Sequence, residues 1–86
     1  METSKFIFII EAEKHYNILV RIIATFNRQR VPITELSSHI KQGEDLLRIT
    51  LSVENTKEEA LKLLKKLDKE IDVTTVNVFK QLSLDD

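Results

Sequence analysis

The sequence predicts an α+β domain of ferredoxin-like βαββαβ order, in which two helices cover one face of a four-stranded antiparallel sheet. Three observations predict it. Four short segments have the β-branched, aromatic or alternating composition of strands, and two have apolar residues at the spacing of amphipathic helices. The strand–helix–strand order occurs twice, as split βαβ crossovers require. At 86 residues there is room for one domain.

The first half of the chain supplies two strands and a helix. The run Phe6 to Ile10 is short, aromatic and β-branched, which predicts a central strand. The first helix is predicted to end before Pro32, because a proline disfavours helical geometry in the residue before it. In residues 33–41, Leu36 and Ile40 alternate with polar and charged residues, as in an edge strand with one solvent-exposed face. The residues expected to face inward from the helix are Ile18, Leu19, Ile22, Ile23 and Phe26.

The second half supplies a hairpin strand, a helix and a last strand. Gly43 allows a positive φ in the turn that precedes the strand 46–53. Thr56 and Glu59 match a capping box, so the second helix begins there. Its predicted inward residues are Ala60, Leu61, Leu64, Leu67 and Ile71. The last strand covers 73–79. We therefore predict a domain at 1–79 and a polar tail at 80–86.

Composition excludes several classes of function. The formal net charge is −1, so no overall field attracts nucleic acid or an anionic membrane. The chain has no cysteine, which excludes disulfides, thiolate metal sites and thiol nucleophiles. The apolar run Phe6 to Ile10 is too short for a signal peptide or a membrane span. We therefore expect a cytoplasmic protein with no nucleic-acid or membrane partner.

Catalytic side chains are scarce in this sequence. His15 and His39 are the two histidines, and neither has a third metal ligand at suitable spacing or a nucleophile near it in sequence. Arg28 and Arg30 complement a helix C-terminus, and the strand 46–53 carries no aromatic residue on which a base could stack. A single glycine cannot build a phosphate-binding loop. We therefore predict no enzyme, metal or cofactor, but a module that binds and regulates.

Four stretches together resemble a known family. They are Ile10–Glu11, Leu19–Arg28, Ile33–Leu36 and Leu67–Val73. The chain resembles the ACT domain, a small-molecule-sensing module of amino-acid metabolism. More narrowly, it resembles the regulatory small subunit of acetohydroxyacid (acetolactate) synthase, in which the last stretch typically reads Leu-Asn-Lys-Leu-Val-Asp-Val. The resemblance covers Lys5 to Phe79 and is closest to the short, single-domain members of that family.

The resemblance implies a non-catalytic subunit that binds and activates a catalytic large subunit in branched-chain amino-acid biosynthesis. The thiamine-diphosphate chemistry would then belong to that partner. Two alternatives stay open. One is a stand-alone amino-acid-sensing ACT module that regulates another enzyme. The other is a small ferredoxin-like enzyme of the acylphosphatase type, although the loop 14–16 reads Lys-His-Tyr and lacks the arginine of a phosphate cradle.

The resemblance also places an amino-acid effector site between two copies of the chain. One copy would contribute His15, Tyr16, Asn17 and Ile18, and its mate would contribute Pro32, Ile33 and Thr34. The chain departs from the family here. Tyr16 and Asn17 replace a Pro-Gly or Ser-Gly pair, Arg30 replaces a glycine, and Pro32 has no N–H to donate. We therefore expect effector binding to be weak or absent, as is typical of the short members.

Two association surfaces are predicted. The first is the edge strand 33–41, which would pair with its copy to form a homodimer with the first helices side by side. The second is an apolar strip on the sheet face that points away from the helices. Its predicted members are Ile7, Ile9, Leu46 and Phe79, flanked by Arg48, Thr50 and Asn77. The strip would dock the catalytic subunit or a second dimer, unless Leu82 and Leu84 of the tail cover it.

Overall fold

The computed structural model describes residues 2–82, so Leu84 of the predicted tail lies outside the described residues. The elements are β1 (Ser4–Glu13), α1 (Ile18–Arg28), β2 (Ile33–Ile40), β3 (Leu46–Asn55), α2 (Lys57–Asp68) and β4 (Val73–Lys80). Neighbouring strands are antiparallel, in the order β2-β3-β1-β4. This is the predicted ferredoxin-like βαββαβ fold. Within residues 2–82, no helix is long and apolar enough to cross a membrane.

The core lies between the sheet and the two helices. Side chains of a strand alternate between its faces, so every second residue of β1 points toward the helices. Phe6, Phe8, Ile10 and Ala12 are buried accordingly. The ring of Phe8 meets that of Phe26 on α1 edge to face, with centroids 5.3 Å apart and planes at 88°. β1 is thus the central strand that the sequence predicts.

The inward face of α2 differs from the prediction. Ala60 and Leu67 are buried and Leu64 is half-buried, but Leu61 is 43% and Ile71 75% exposed. Leu63, which the prediction omits, is fully buried. Both wrong assignments have a geometric reason. The buried stripe runs through positions 60, 63 and 67 and leaves position 61 on its flank, and position 71 lies in the turn after α2 has ended.

The first helix follows its predicted stripe more closely. Ile18, Ile22 and Phe26 are buried, Leu19 is half-buried against the core, and Ile23 is half-buried. The helix ends at Arg28 in a turn rather than at Pro32 itself. The N–H groups of Arg30 and Val31 donate to the carbonyls of Asn27 at 2.9 Å and Phe26 at 3.1 Å. This bonding pattern requires a left-handed residue, and Arg30 fills that position with φ 59°.

The start of α2 and the β2–β3 turn agree with the sequence in part. The Glu59 N–H donates to the Thr56 hydroxyl oxygen at 3.2 Å, which is one half of the predicted capping box. The other half is replaced, because the Thr56 N–H donates to the side-chain oxygen of Asn55 at 2.8 Å. Gly43 has φ 79°, the positive value that its turn requires.

Candidate functional site

The loop between β1 and α1 forms one half of the predicted effector site. Tyr16 is fully exposed, and the carbonyl of Asn17 accepts the Arg21 N–H at 3.1 Å, which begins the helix. The Asn17 side chain makes no capping hydrogen bond, and the first turn of α1 contains no acidic residue. Ile18 is buried in the core, so its side chain does not face the loop surface. What the loop offers a ligand is therefore backbone N–H groups and the exposed side chains of His15, Tyr16 and Asn17.

The other half of the predicted site lies at the opposite end of α1. Pro32 and Thr34 are exposed, and Ile33 is half-buried against the core. The Thr34 hydroxyl donates to the Ser52 carbonyl at 3.0 Å, which fixes it against β3. Because α1 has 11 residues, the two halves are separated by roughly 16 Å along its axis. One chain alone does not bring them together.

The edge strand β2 has no helix over its outer part. Leu36 and Ile40 point to the helix side of the sheet, since they pair with the core-facing Leu51 and Leu47. They are nevertheless 43% and 53% exposed. We call this pair the β2 patch. Val20 on α1 is a further exposed apolar residue, at the end of the domain where β2 ends. Unpaired backbone beside apolar side chains is typical of an edge that another chain covers.

A shallow groove connects the β2 patch to the second half of the predicted site. It runs between α1 and β2 and is lined by Ile23, Asn27, Ile33, Thr34, Glu35 and Leu36. Its lining combines apolar side chains with an amide, a hydroxyl and a carboxylate. Two of these polar groups already have partners in the chain, because the Thr34 hydroxyl donates to the Ser52 carbonyl at 3.0 Å and the Glu35 carboxylate lies 2.8 Å from Lys5 Nζ.

Arg21 joins α1 to the turn before β4, a role that the sequence analysis missed. Its guanidinium donates to Glu70 at 2.9 Å, to Asp72 at 3.1 Å and to the Ile71 carbonyl at 2.6 Å. Hydrogen bonding to Glu70, and then to Asp72, raises the pKa of Arg21 above its usual range. We call this arrangement the Arg21 clamp. Its sequence signal was available, because Arg21 and residues 70–72 lie in two stretches that carry the family resemblance.

His15 lies in the loop between β1 and α1 (residues 14–17), which we call the effector loop, and its side chain contacts the clamp. Its Nε2 lies 3.5 Å from the Asp72 carboxylate and 3.8 Å from that of Glu13. The imidazole nitrogen of His15 and one carboxylate oxygen each from Glu13 and Asp72 lie within 4.8 Å of one another, a spacing that a metal site also has. The same Asp72 oxygen already accepts a hydrogen bond from Arg21, which supplies positive charge at that point. The cluster therefore connects the loop before α1 to the turn before β4.

The outer face of the sheet brings together three of the four residues predicted for the apolar strip. Ile7 pairs directly with Phe79, and Ile9 lies in the next outward-facing row of β1. Leu46 pairs with Glu13, two rows further along. Between them lies Glu11, whose carboxylate accepts hydrogen bonds from Arg48 and Lys41. This ion-paired row separates Leu46 from the rest of the strip.

A comparison with protein families decides what kind of domain carries these features. The ACT domain profile matches residues 14–76, which is most of the chain. The chain belongs to the ACT domain family. ACT domains are regulatory and non-catalytic modules. The match includes both halves of the predicted effector site and the whole Arg21 clamp.

Solved structures of other proteins have the same fold. The chain is similar to the ACT domain from GTP pyrophosphokinase of Chlorobium tepidum, with a TM-score of 0.79 and 18% identity over 95% of this chain and 92% of that one. It is similar to the acetolactate synthase small subunit of Thermotoga maritima, with a TM-score of 0.78 and 14% identity over 86% of this chain and 46% of that one. No curated protein sequence matches the chain. At these identities the likeness shows the fold alone.

Proposed function

We propose that this ACT domain is a regulatory subunit that works as a homodimer and activates the catalytic subunit of an acetohydroxyacid synthase. One observation carries the dimer. The two halves of the predicted effector site lie at opposite ends of α1, and β2 is an edge strand with exposed apolar side chains. If two β2 strands pair antiparallel about a two-fold axis, Ile33 of one chain lies beside Ile40 of its mate. Each effector loop then lies near the mate's Pro32–Thr34.

The assignment to a synthase rests on the sequence resemblance. Its most specific stretch, Leu67–Val73, forms the end of α2 and the turn that Arg21 holds. The likeness to the Thermotoga small subunit is a likeness of fold and adds nothing to the choice of partner. The two alternatives are therefore kept as outcomes of the test. A stand-alone sensor would dimerise without activating a synthase, and an acylphosphatase-type enzyme would hydrolyse an acyl phosphate by itself.

The test is a reconstitution with the acetohydroxyacid synthase catalytic chain of the same organism. We expect added ACT subunit to raise the rate of acetolactate formation in a saturable way. L36K/I40K, which places charges in the β2 patch, should lose this effect, and L61K, a charge on α2 at the same 43% exposure as Leu36, should keep it. No activation by the unchanged chain would contradict the synthase assignment, and hydrolysis of acetyl phosphate would favour the enzyme.

Effector affinity is proposed to be weak. Tyr16 and Asn17 stand where the family's glycine lets backbone amides approach a carboxylate, Pro32 has no N–H, and the Thr34 hydroxyl is bonded to β3. Calorimetric titration with valine, leucine and isoleucine should give no saturation below the millimolar range. Micromolar binding of any of the three would show that the loop binds its ligand without the glycine.

A further inference from the structure

The face of the sheet away from the helices carries an apolar strip that a solvated face does not need. A sheet with one wet face normally presents polar residues there. Ile7 and Ile9 of β1 point to this face, and Phe79, which pairs with Ile7, is 52% exposed. The three are adjacent in the sheet. We call them the outer strip, without Leu46.

The neighbouring strand β3 carries small side chains beside the outer strip. Ser52, which pairs with Ile7, is buried, and Thr50, which pairs with Ile9, is half-buried. Ser37 of β2 continues the second row beyond Thr50. Such a surface fits another sheet better than it fits a helix, because stacked sheets approach to about 10 Å and need short side chains at the contact.

The charges around the outer strip are arranged so that the face complements itself. On β1 the outward residues read Lys5, Ile7, Ile9 and Glu11, with the cation at one end and the anion at the other. On β3, the residues paired with these two ends are Glu54 and Arg48, in the opposite order of sign. The relevant two-fold axis lies between the two stacked faces, parallel to them and perpendicular to the strands, midway between Ile7 and Ile9. It places each strand over the same strand of the second copy, running in the opposite direction.

This reversal places opposite charges over each other. Lys5 of one copy lies over Glu11 of the other, and Glu54 lies over Arg48, while the isoleucines meet in the centre. Within one chain, Lys5 also pairs with Glu35 at 2.8 Å and Arg48 with Glu11 at 2.8 Å. The ends of the strip are therefore neutralised before the faces meet, and the same groups provide opposite charges to the second copy.

The described part of the tail leaves this face open. The Gln81 N–H donates to the Lys5 carbonyl at 2.8 Å, so the chain continues beside β1 in the plane of the sheet instead of turning over the strip. Leu82, the next residue, is exposed.

We propose that the outer strip is a second self-association surface, on which two ACT dimers stack face to face to form a tetramer. The inference rests on the proposed dimer and uses a different surface. The occupant is a second copy because the order of charges along Lys5–Glu11 and Arg48–Glu54 is complementary to itself. A two-fold contact requires this self-complementarity.

The test is the molar mass of the full chain in solution, measured by sedimentation equilibrium without any synthase. We expect the unchanged chain to form tetramers at micromolar concentration, and I7T/I9T to remain a dimer, with dimer–dimer association about tenfold or more weaker. E54K serves as the second variant. It puts a cation opposite Arg48 at an exposed position away from the core, so it should weaken the tetramer without disturbing the fold. L61T on α2 is the matched control and should remain tetrameric.

Three results would overturn the proposal. The unchanged chain could stop at the dimer, or I7T/I9T and E54K could leave the tetramer intact. A chain shortened to residues 1–80 could form tetramers when the full chain does not, which would make the tail the occupant of the face. If the unchanged chain forms only dimers and I7T/I9T also loses activation of the synthase, the outer strip docks the catalytic subunit instead. Because the mass measurement involves no synthase, failure of the activation assay leaves its result unchanged.

Discussion

The two edge strands of the sheet differ in how well their helix-facing side chains are covered. On β4 the side chains that face the helices, Val73, Val76 and Val78, are half-buried against the core beneath α2. On β2 the corresponding Leu36 and Ile40 are exposed, because α1 does not extend over them. The domain therefore covers one edge with its own helix and leaves the other apolar. The uncovered edge is where the proposed dimer would bury Leu36 and Ile40.

The turns that precede these two strands differ in how their positive-φ residues are held. Each contains a residue other than glycine with positive φ, Asp72 at 77° before β4 and Arg30 at 59° before β2. Asp72 accepts a hydrogen bond from Arg21 at 3.1 Å, so its turn is tied to α1. Arg30 is held by backbone hydrogen bonds of the helix end. The covered edge thus begins in a side-chain clamp, and the uncovered edge begins in a turn whose positive-φ residue is held by backbone hydrogen bonds.

The largest effect is expected from charging the uncovered edge. L36K/I40K places two cations where the proposed dimer buries apolar side chains, and two-fold symmetry brings each pair against its copy. We expect the dimer dissociation constant to rise about a hundredfold or more. Sedimentation velocity measures this, and circular dichroism checks the fold. L61K is the control at equal exposure, and an unchanged dissociation constant in L36K/I40K would refute pairing along β2.

Much of the fold could be predicted from local sequence pattern. Predicted and observed elements agree to within one or two residues at most ends, since alternation and helical spacing report burial directly. Leu61 and Leu63 show the limit of this method. Both lie near the apolar stripe of α2, and which of them is buried depends on how the helix is rotated against the sheet. That rotation is set by packing, which periodicity alone does not fix.

The candidate site was less predictable, because its parts meet only in three dimensions. The Arg21 clamp joins residues about fifty positions apart, and no local pattern links them. Leu46 has the correct parity for the outer strip, but the register shows it opposite Glu13, beyond the ion-paired Glu11. The two halves of the effector site were predicted in sequence, but their meeting requires a second chain. Of the two carboxylates in the clamp, Asp72 matches the family's reading of 67–73 and Glu70 departs from it.

A smaller effect is expected from releasing the clamp at the covered edge. R21M keeps the aliphatic part of the side chain but leaves the carboxylates of Glu70 and Asp72 facing each other without a cation. We expect the thermal midpoint to fall by several degrees, with protection from hydrogen exchange lost first at the start of β4. R28M is the control, because Arg28 makes one long contact at 3.4 Å to Thr25. Equal midpoints for the two variants would mean that the clamp does not stabilise β4.

The smallest effect is expected from placing glycine at the positive-φ residue of each turn. The two substitutions should change stability in opposite directions. A residue other than glycine needs roughly 1 kcal/mol to adopt this conformation. Glycine avoids this cost but loses more conformational entropy on folding, which offsets part of the gain, so R30G should stabilise the domain by about 0.5 kcal/mol. D72G has the same backbone benefit but removes the carboxylate that Arg21 and His15 contact, and it should destabilise. Urea unfolding at one fixed protein concentration compares them, since dimerisation makes the midpoint concentration-dependent. If both variants shift the midpoint in the same direction, the contrast between a clamped and an unclamped turn is wrong.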